Sequence, residues 1–375
     1  MINRVFNKLI TKDFFKKKVL VIIGARQVGK TTVVKQLVDS CGMQSKYING
    51  DEYDIHPIFK KPTSTQLKAL IGNNRVVVID EAHQIPNIGR ALKLIIDTYP
   101  EIQLIATGSS SFDIGNRVNE PLTGRKFEYM MYPLSVGELV SHSGMLEEKR
   151  MLNHRLVFGS YPDVVINQGD EVPILKNLVS SYLYRDVLQL DGIKKPSLLT
   201  SILSALAFQV GSEVSINEVA QLVGSNGHTV ERYIDLLEKS FVIFRLRAFS
   251  RNARNELKKS QKIYFYDNGV RNAVIGNYSD LINRTDIGAL WENYLMSERV
   301  KKLGYEGFYG YRYFWRTTQQ QEIDLLEEVD GQLYAFEFKW NIKSKKDKIP
   351  RSFTNHYPDA ITHIVTPDNY MDFLL

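Results

Sequence analysis

Short apolar runs alternate with longer amphipathic stretches over the first third of the chain. Residues 19–23 (Val-Leu-Val-Ile-Ile), 76–79 (Val-Val-Val-Ile) and 102–106 lack polar alternation. Each therefore reads as a strand covered on both faces, the habit of a parallel sheet flanked by helices. Residues 46–49 are a candidate further strand. From about Leu152 the pattern turns helical, with predicted helices over 152–158 and 174–188 separated by Gly159-Ser160-Tyr161-Pro162, since glycine and proline punctuate.

A second pattern begins near Pro196. A helix is predicted over 197–210. Ser215, followed three residues later by Glu218, has the spacing of a capping box and opens a short helix that ends around Gly224. Another helix runs over 228–240, and two strand-like segments follow at 241–246 and 262–266. The last pattern starts near Asp267, with a helix over 287–303 and strands over 311–317, 322–329, 332–340 and 361–365. Asp330-Gly331 between two of these strands is a strong hairpin signal. No internal repeat is visible.

The length of 375 residues exceeds one ordinary core and predicts two or three domains. With 43% apolar and 24% charged residues the chain reads as a water-soluble globular protein. Its single cysteine, Cys41, excludes an intrachain disulfide and reads as a small buried residue rather than a nucleophile. The opening MINRVFNKLITKDFFKKK is basic and broken by charge, without the apolar stretch of a secretory signal. No run of about 18 apolar residues suggests a membrane span. The expected location is the cytoplasm, with no membrane partner.

Net charge is +6, compatible with scattered lysines or with a polyanion partner. The positive residues cluster in the C-terminal half. One group comprises Arg245, Arg247, Arg251, Arg254, Lys258, Lys259 and Lys262. The other comprises Lys343, Lys345, Lys346, Lys348 and Arg351.

The most specific chemistry lies at Gly24-Ala25-Arg26-Gln27-Val28-Gly29-Lys30-Thr31-Thr32. It fits G-x-x-x-x-G-K-[ST], follows an apolar strand and precedes a helix. In such a loop the glycines let backbone N–H groups face phosphates, and the helix N-terminus adds positive potential. Lys30 is expected to bridge the β- and γ-phosphates of ATP, and the Thr31 hydroxyl to ligate Mg2+. Asp80, ending the strand 76–79, is expected to hold the magnesium through water, and Glu81 to orient and polarise the attacking water. Ser109, after the strand 102–106, is a candidate sensor of the γ-phosphate or the water, with a simple turn as the alternative. Arg125 is a candidate charge stabiliser, an arginine finger acting in cis or in trans.

GARQVGKTT, VVVIDEAHQIP, ATGSSS and LTGRKFEYMMYPLSVGEL resemble a widespread prokaryotic family of AAA-type P-loop ATPases that join such a core to a C-terminal domain of unknown function. Gly159-Ser160-Tyr161-Pro162, Ser181-Tyr182-Leu183-Tyr184-Arg185-Asp186, WENYLMSE and EIDLLEEVDGQLYAFEFKW extend the resemblance over nearly the whole chain. It implies ATP binding and hydrolysis.

Residues 216–240 have helix-turn-helix proportions, and the two strand-like segments after them would form a wing. Such a unit can put its second helix, here carrying His228, Thr229, Glu231, Arg232 and Tyr233, into a DNA major groove, or serve only as a packing or partner module. The arginine-rich stretch after Phe241 would then meet phosphates.

In the last unit, Glu337 and Lys339 alternate by two and share a sheet face, and the hairpin brings Asp324 alongside. Two carboxylates and a lysine on one face resemble the layout of the PD-(D/E)xK nucleases, and Glu292 matches their helix-borne acid. The resemblance implies Asp324, Glu337 and Glu292 as metal ligands and Lys339 as the residue that positions or polarises the nucleophilic water. An inactive relative that only binds DNA or a protein is the alternative.

The expected architecture is therefore α/β throughout. It comprises a P-loop ATPase core with a mostly parallel sheet (1–145), a helical lid or connector (146–195), a winged-helix domain (196–266) and a restriction-endonuclease-like α/β domain (267–375). The expected activity is ATP hydrolysis acting on or with DNA, with metal-dependent cleavage as its extension. The alternative is a nucleotide-gated switch. A homo-oligomer is a further expected partner state.

Overall fold

The computed structural model describes residues 2–109, 122–183, 195–249, 260–317, 319–341 and 349–375, with side chains from 181 to 183 left aside. The chain divides into two compact units. The first is Met1–Leu134 with Lys239–Phe241, and the second is Ser135–Glu238 with Val242–Leu375.

The first unit opens with α1 (Val5–Thr11) and β1 (Val19–Ile23), then α2 (Lys30–Cys41), β2 (Ser45–Asn49), α3 (His56–Lys60) and α4 (Ser64–Ile71). β3 (Val76–Asp80), α5 (Ile88–Thr98), β4 (Gln103–Gly108) and β5 (Lys126–Met130) complete it. The five strands are all parallel, in the order β2-β3-β4-β1-β5. β1, β3 and β4 are buried along their full length, as their largely apolar sequences require. On α5 the buried residues Ile88, Ala91, Leu92, Ile95 and Ile96 recur at helical spacing and pack with Val77, Ile79, Leu104 and Ala106 of the sheet. Each such fully buried valine, leucine or isoleucine contributes roughly 1.5–3 kcal/mol relative to exposure. β5 is a strand the hydrophobic pattern missed: Lys-Phe-Glu-Tyr-Met is half-buried to exposed, as befits the sheet's edge.

Parallel register sends the C-terminal ends of β1, β3 and β4 to one edge of the sheet. There lie Gly24, Glu81 and Ser109. Arg125 lies at the other edge, where its carbonyl accepts a hydrogen bond from Val19 N at the start of β1.

The second unit holds a run of helices: α6 (Val136–Ser143), α7 (Met145–Arg150), α8 (Leu152–Phe158), α9 (Pro162–Ile166), α10 (Glu171–Asn177) and a π-helical continuation at Leu178–Leu183. A full capping box opens α6, between Ser135 and Glu138. Gly159 separates α8 from α9 at φ 72°, and a Cβ there would sit 2.1 Å from the Asp267 carboxylate, so glycine is required. Ser160 N donates to Asp267, while Lys301 Nζ donates to the Ser160 hydroxyl and to Glu298. The break therefore seats a buried polar network that satisfies its charges internally.

α11 (Pro196–Phe208), α12 (Ile216–Leu222) and α13 (Gly227–Lys239) follow, then β6 (Ile243–Ala248), β7 (Gln261–Phe265), α14 (Asn268–Ile275), α15 (Ile287–Glu306), β8 (Tyr311–Arg316), β9 (Glu322–Val329), β10 (Gln332–Phe338), α16 (Arg351–His356), β11 (Ile361–Val365) and α17 (Tyr370–Leu374). Ser215 accepts from Glu218 N at the start of α12, as its spacing predicts. The Asp330-Gly331 turn between β9 and β10 has φ of 51° and 82°, the left-handed pair a tight hairpin needs.

One expectation needs correction. The strands expected to close a separate 196–266 unit as a wing belong to a six-stranded mixed sheet, order β11-β10-β9-β8-β6-β7. β6 uses its second edge to pair in parallel with β8, Arg247 opposite Tyr313 and Ala248 opposite Phe314. The expected boundary at 266/267 thus falls inside one sheet.

Candidate functional site

Two groups of side chains carry chemistry, one in each unit. In the first, the loop after β1 is shaped by close backbone approach. A Cβ on Gly24 would lie 2.2 Å from the Met131 carbonyl oxygen, and Gly29 caps α2 at φ 95°. Gln27 is also left-handed, at φ 59°. Ala25 and Val28 are buried, Arg26 is half-buried, and Gln27 and Thr32 are exposed. Lys30, only 5% exposed, donates to the carbonyls of Gly24 and Ala25, each at 2.9 Å. The loop is braced from α1's side by Arg4, whose guanidinium donates to Val28 O at 2.8 Å and Tyr132 O at 2.7 Å.

The Thr31 hydroxyl donates to Asp80 Oδ2 at 2.8 Å, and the Tyr47 hydroxyl donates to the same oxygen at 2.6 Å. Thr107 donates to Asp80 Oδ1 and accepts from Glu81 N at 3.1 Å. Glu81 is held at φ 47°, a strained setting for a residue with a Cβ. Its carboxylate lies 3.3 Å from His83 Nδ1, and His83 Nε2 lies 3.3 Å from the Ser109 hydroxyl. Burial pushes the Glu81 carboxyl above its ordinary range; Lys30 opposes this and Asp80 adds to it. Burial, helped by Lys30 and Arg26, lowers His83 to about 4, so its imidazole is neutral near pH 7. Gly50 completes the floor: a Cβ there would meet the Glu81 carbonyl at 2.4 Å.

The structure thus brings together Gly24 to Thr31, Asp80, Glu81 and Ser109. Thr31 and Asp80 present adjoining hard oxygen donors, which suit Mg2+. Arg125 is not brought to them. It pairs with Asp97 at 2.7 Å on the opposite edge of the sheet, which removes the cis reading of an arginine finger. Arg4, Tyr47, Thr107 and His83 were missed from sequence. His83 and Thr107 lie inside the motifs VVVIDEAHQIP and ATGSSS, and Tyr47 on a candidate strand, while Arg4 carried no such signal.

In the second unit, Asp324 and Glu337 lie on neighbouring antiparallel strands, next to the paired Leu325 and Phe336. Phe338 N donates to Asp324 Oδ2 at 2.7 Å, and Lys339 Nζ donates to Glu337 Oε1 at 2.6 Å. Glu292 enters from α15. The hard-donor group is not the expected Glu292, Asp324 and Glu337. Carboxylate oxygens of Glu292, Glu322 and Asp324 lie within 4.8 Å of one another, because Glu322 and Asp324 share a face of β9. Glu337 is held by Lys339 and its Oε2 is buried without a hydrogen-bond partner, while its charge still acts on Asp324 across the two strands.

Among these acids sits the fully buried Lys262. Its ammonium donates to Glu292 Oε1 at 2.8 Å and to Glu322, and lies 4.0 Å from Asp324. Tyr264, two residues on, donates to Glu292 at 2.7 Å. Burial opposes the lysine's charge, but Glu292, Tyr264, Asp324 and Glu322 outweigh it and raise its pKa. Burial and the neighbouring carboxylates raise Asp324 and Glu337. The donors are hard oxygens, yet the space between three of them is taken by an ammonium. The set as arranged does not fit a divalent cation.

Two members of the first basic cluster are therefore unavailable to a polyanion. Lys262 is buried, and Arg245 is engaged by Glu231, Asp235 and Glu238. Arg247 is exposed, as are His228 and Arg232 on α13, while Thr229 and Glu231 are half-buried and Tyr233 is buried. Arg251, Arg254, Lys258, Lys259, Lys343, Lys345, Lys346 and Lys348 lie outside the described residues, as do Tyr184, Arg185 and Asp186.

A parallel sheet with a glycine-bounded loop before a helix, and acidic residues ending a neighbouring strand, defines a P-loop nucleotide-binding class. Comparison agrees: residues 16–140 match the family model described as an AAA domain. Residues 149–281 and 287–370 match two models described as domains of unknown function. An uncharacterized protein of Mycobacterium tuberculosis is 26% identical over 338 residues, 88% of this chain and 72% of its own length. An uncharacterized protein of Haemophilus influenzae is 25% identical over 397 residues, 97% of this chain and 89% of its own. The solved structure of a Walker-type ATPase of Pyrococcus abyssi aligns with a TM-score of 0.51 at 15% identity, covering 73% of this chain and 96% of that one, a likeness of fold. Among the described residues no helix is long and apolar enough to cross a membrane.

Proposed function

We propose that this protein hydrolyses ATP in its first unit and uses the nucleotide cycle to control a DNA-engaging second unit. The observation that carries the first part is the convergence of Lys30, Thr31 and Asp80 at the mouth of the phosphate loop. Backbone N–H groups of residues 24–31 and the start of α2 bind the phosphates, and Lys30 leaves its carbonyl partners to reach the β- and γ-oxygens. Thr31 and Asp80 would hold Mg2+, which would supply charge neutralisation on the phosphates. Glu81 accepts the proton of the attacking water, and its raised pKa, set by burial, suits a base poised closer to neutrality. Thr107 fixes the backbone from which Glu81 projects. Ser109, in reach of His83, senses the nucleotide.

For the second unit, α12 and α13 form a helix-turn-helix pair without a separate wing, and exposed Arg232 and Arg247 supply phosphate contacts. The Asp324, Glu337, Lys339 and Glu292 layout is nuclease-like. Lys262 among the acids favours a module that binds DNA rather than one that cuts it.

The test is the steady-state ATPase rate of the full chain with and without DNA, over a salt series. Stimulation that weakens steeply with salt supports the coupling. A rate indifferent to DNA at all salts removes DNA and leaves a nucleotide switch with a protein partner. Magnesium- or manganese-dependent cleavage of single- or double-stranded DNA, lost in Asp324→Ala, would overturn the binding-only reading.

A further inference from the structure

We infer that Lys262 is the resident cation of the carboxylate cluster in the second unit, filling the place a divalent metal would take and holding the cluster assembled without one. The inference deepens the reading of this unit as a nuclease-like module that binds without cutting.

β7 runs Gln261–Phe265, and strand alternation puts Lys262 and Tyr264 on one face. Both are buried, an unusual fate for a lysine unless it is paired. Backbone pairing fixes the stem, with Lys262 opposite Leu246 of β6 and bridged to Glu213 on its other side. The ammonium also lies 5.6 Å from the centre of the Phe314 ring. An ammonium has three donors. Two reach Glu292 Oε1 and Glu322 Oε1, and the head group stands 4.0 Å from Asp324. The oxygens a metal would take are thus directed at a nitrogen.

A magnesium ion bound to Glu292 Oε1 would sit about 2.0–2.1 Å from that oxygen. The ammonium lies 2.8 Å from the same atom. The two cations would stand close together in a buried site, where repulsion is screened weakly. Further positive charge surrounds the group: Arg316 lies 3.4 Å from Glu322, and Lys339 holds Glu337. With Glu213, which also holds Arg316, five acids face three cations, and each of Glu292, Glu322, Asp324 and Glu337 lies within 4.0 Å of one.

The experiment measures Mn2+ binding by electron paramagnetic resonance and calorimetry on the nucleotide-free full chain. An Asp80→Asn background silences the donors of the first unit. The expected result is no saturable binding below the millimolar range, and a gain of at least about tenfold in affinity for Lys262→Met, in which an apolar chain of similar length replaces the ammonium. Tight binding in the background protein that is lost in Asp324→Asn overturns the inference, as does a Lys262→Met variant that binds no better. If Lys262→Met does not fold, the melting temperature of the background protein decides. Indifference to Mn2+ supports the resident lysine, and a rise that vanishes in Asp324→Asn contradicts it. ATP is absent from every arm, so failure of the ATPase reading would show separately.

Discussion

The Thr31 hydroxyl and the Asp80 carboxylate meet at 2.8 Å, joining the start of α2 to the end of β3 across 49 positions of sequence. Asp80 also accepts from Tyr47 and Thr107, so one buried carboxylate gathers three hydroxyl donors. Asp80→Ala is expected to leave these donors without their acceptor and to cost about 2–4 kcal/mol of stability in denaturant unfolding. The same variant should lose magnesium-dependent enhancement of ATP affinity. A variant with native stability and native magnesium dependence would contradict the arrangement.

Glu81 projects toward the loop from a left-handed backbone position, with Thr107 fixing its N–H. Glu81→Gln keeps the shape and removes the base. Turnover should fall by about 10²–10⁴-fold, while nucleotide affinity stays within a few-fold of the parent, as read by a fluorescent-nucleotide titration beside the steady-state rate. Equal loss of both would show that Glu81 supports the fold rather than the chemistry.

His83 gives the first unit a pH dependence whose sign is fixed. Burial, Lys30 and Arg26 hold it at about 4, below the 6.5 of an exposed imidazole. Between these values the unfolded chain binds the proton more readily, so the contribution is complete above pH 6.5 and is lost as pH falls toward 4. Between pH 8 and pH 5 the parent should lose about 2 kcal/mol that His83→Asn does not. Parallel urea-unfolding curves for the two proteins over that range would refute this.

In the second unit Asp286 accepts from Arg284 at 2.8 Å and from Arg271, which is almost fully buried. Burial alone would raise its pKa, but the two guanidinium groups overcome it and hold it at about 2. Such a depressed carboxylate stabilises fully above about pH 4 and loses its contribution as pH falls toward 2. Asp286→Asn should cost about 2–4 kcal/mol near neutrality, because Arg271 keeps its charge and loses its counter-ion. A melting temperature unchanged by the substitution would contradict the pairing.

The first unit's site is legible because its central strands are largely apolar and its loop has a fixed spacing. Gly24, Lys30, Thr31, Asp80 and Glu81 fall where that spacing puts them. The edge strand Lys126–Met130 was hidden, since a half-exposed strand carries no buried run. Lys262 and Glu322 were hidden for a different reason. A lysine in a basic stretch reads as solvated, and only the sheet that joins β7 through β6 and β8 to β9 brings it to Glu322. Such long-range pairing leaves no local trace. Arg125 shows the converse: a plausible residue type that parallel register carries to the wrong edge.

The most direct measurement is the ATPase rate of Lys30→Ala beside the parent, under saturating magnesium and ATP. Lys30 is the buried cation of the loop, and its loss removes the charge expected at the β- and γ-phosphates. Robust turnover is expected in the parent, and turnover reduced to background in a folded Lys30→Ala protein. Turnover that survives the substitution unchanged would contradict it.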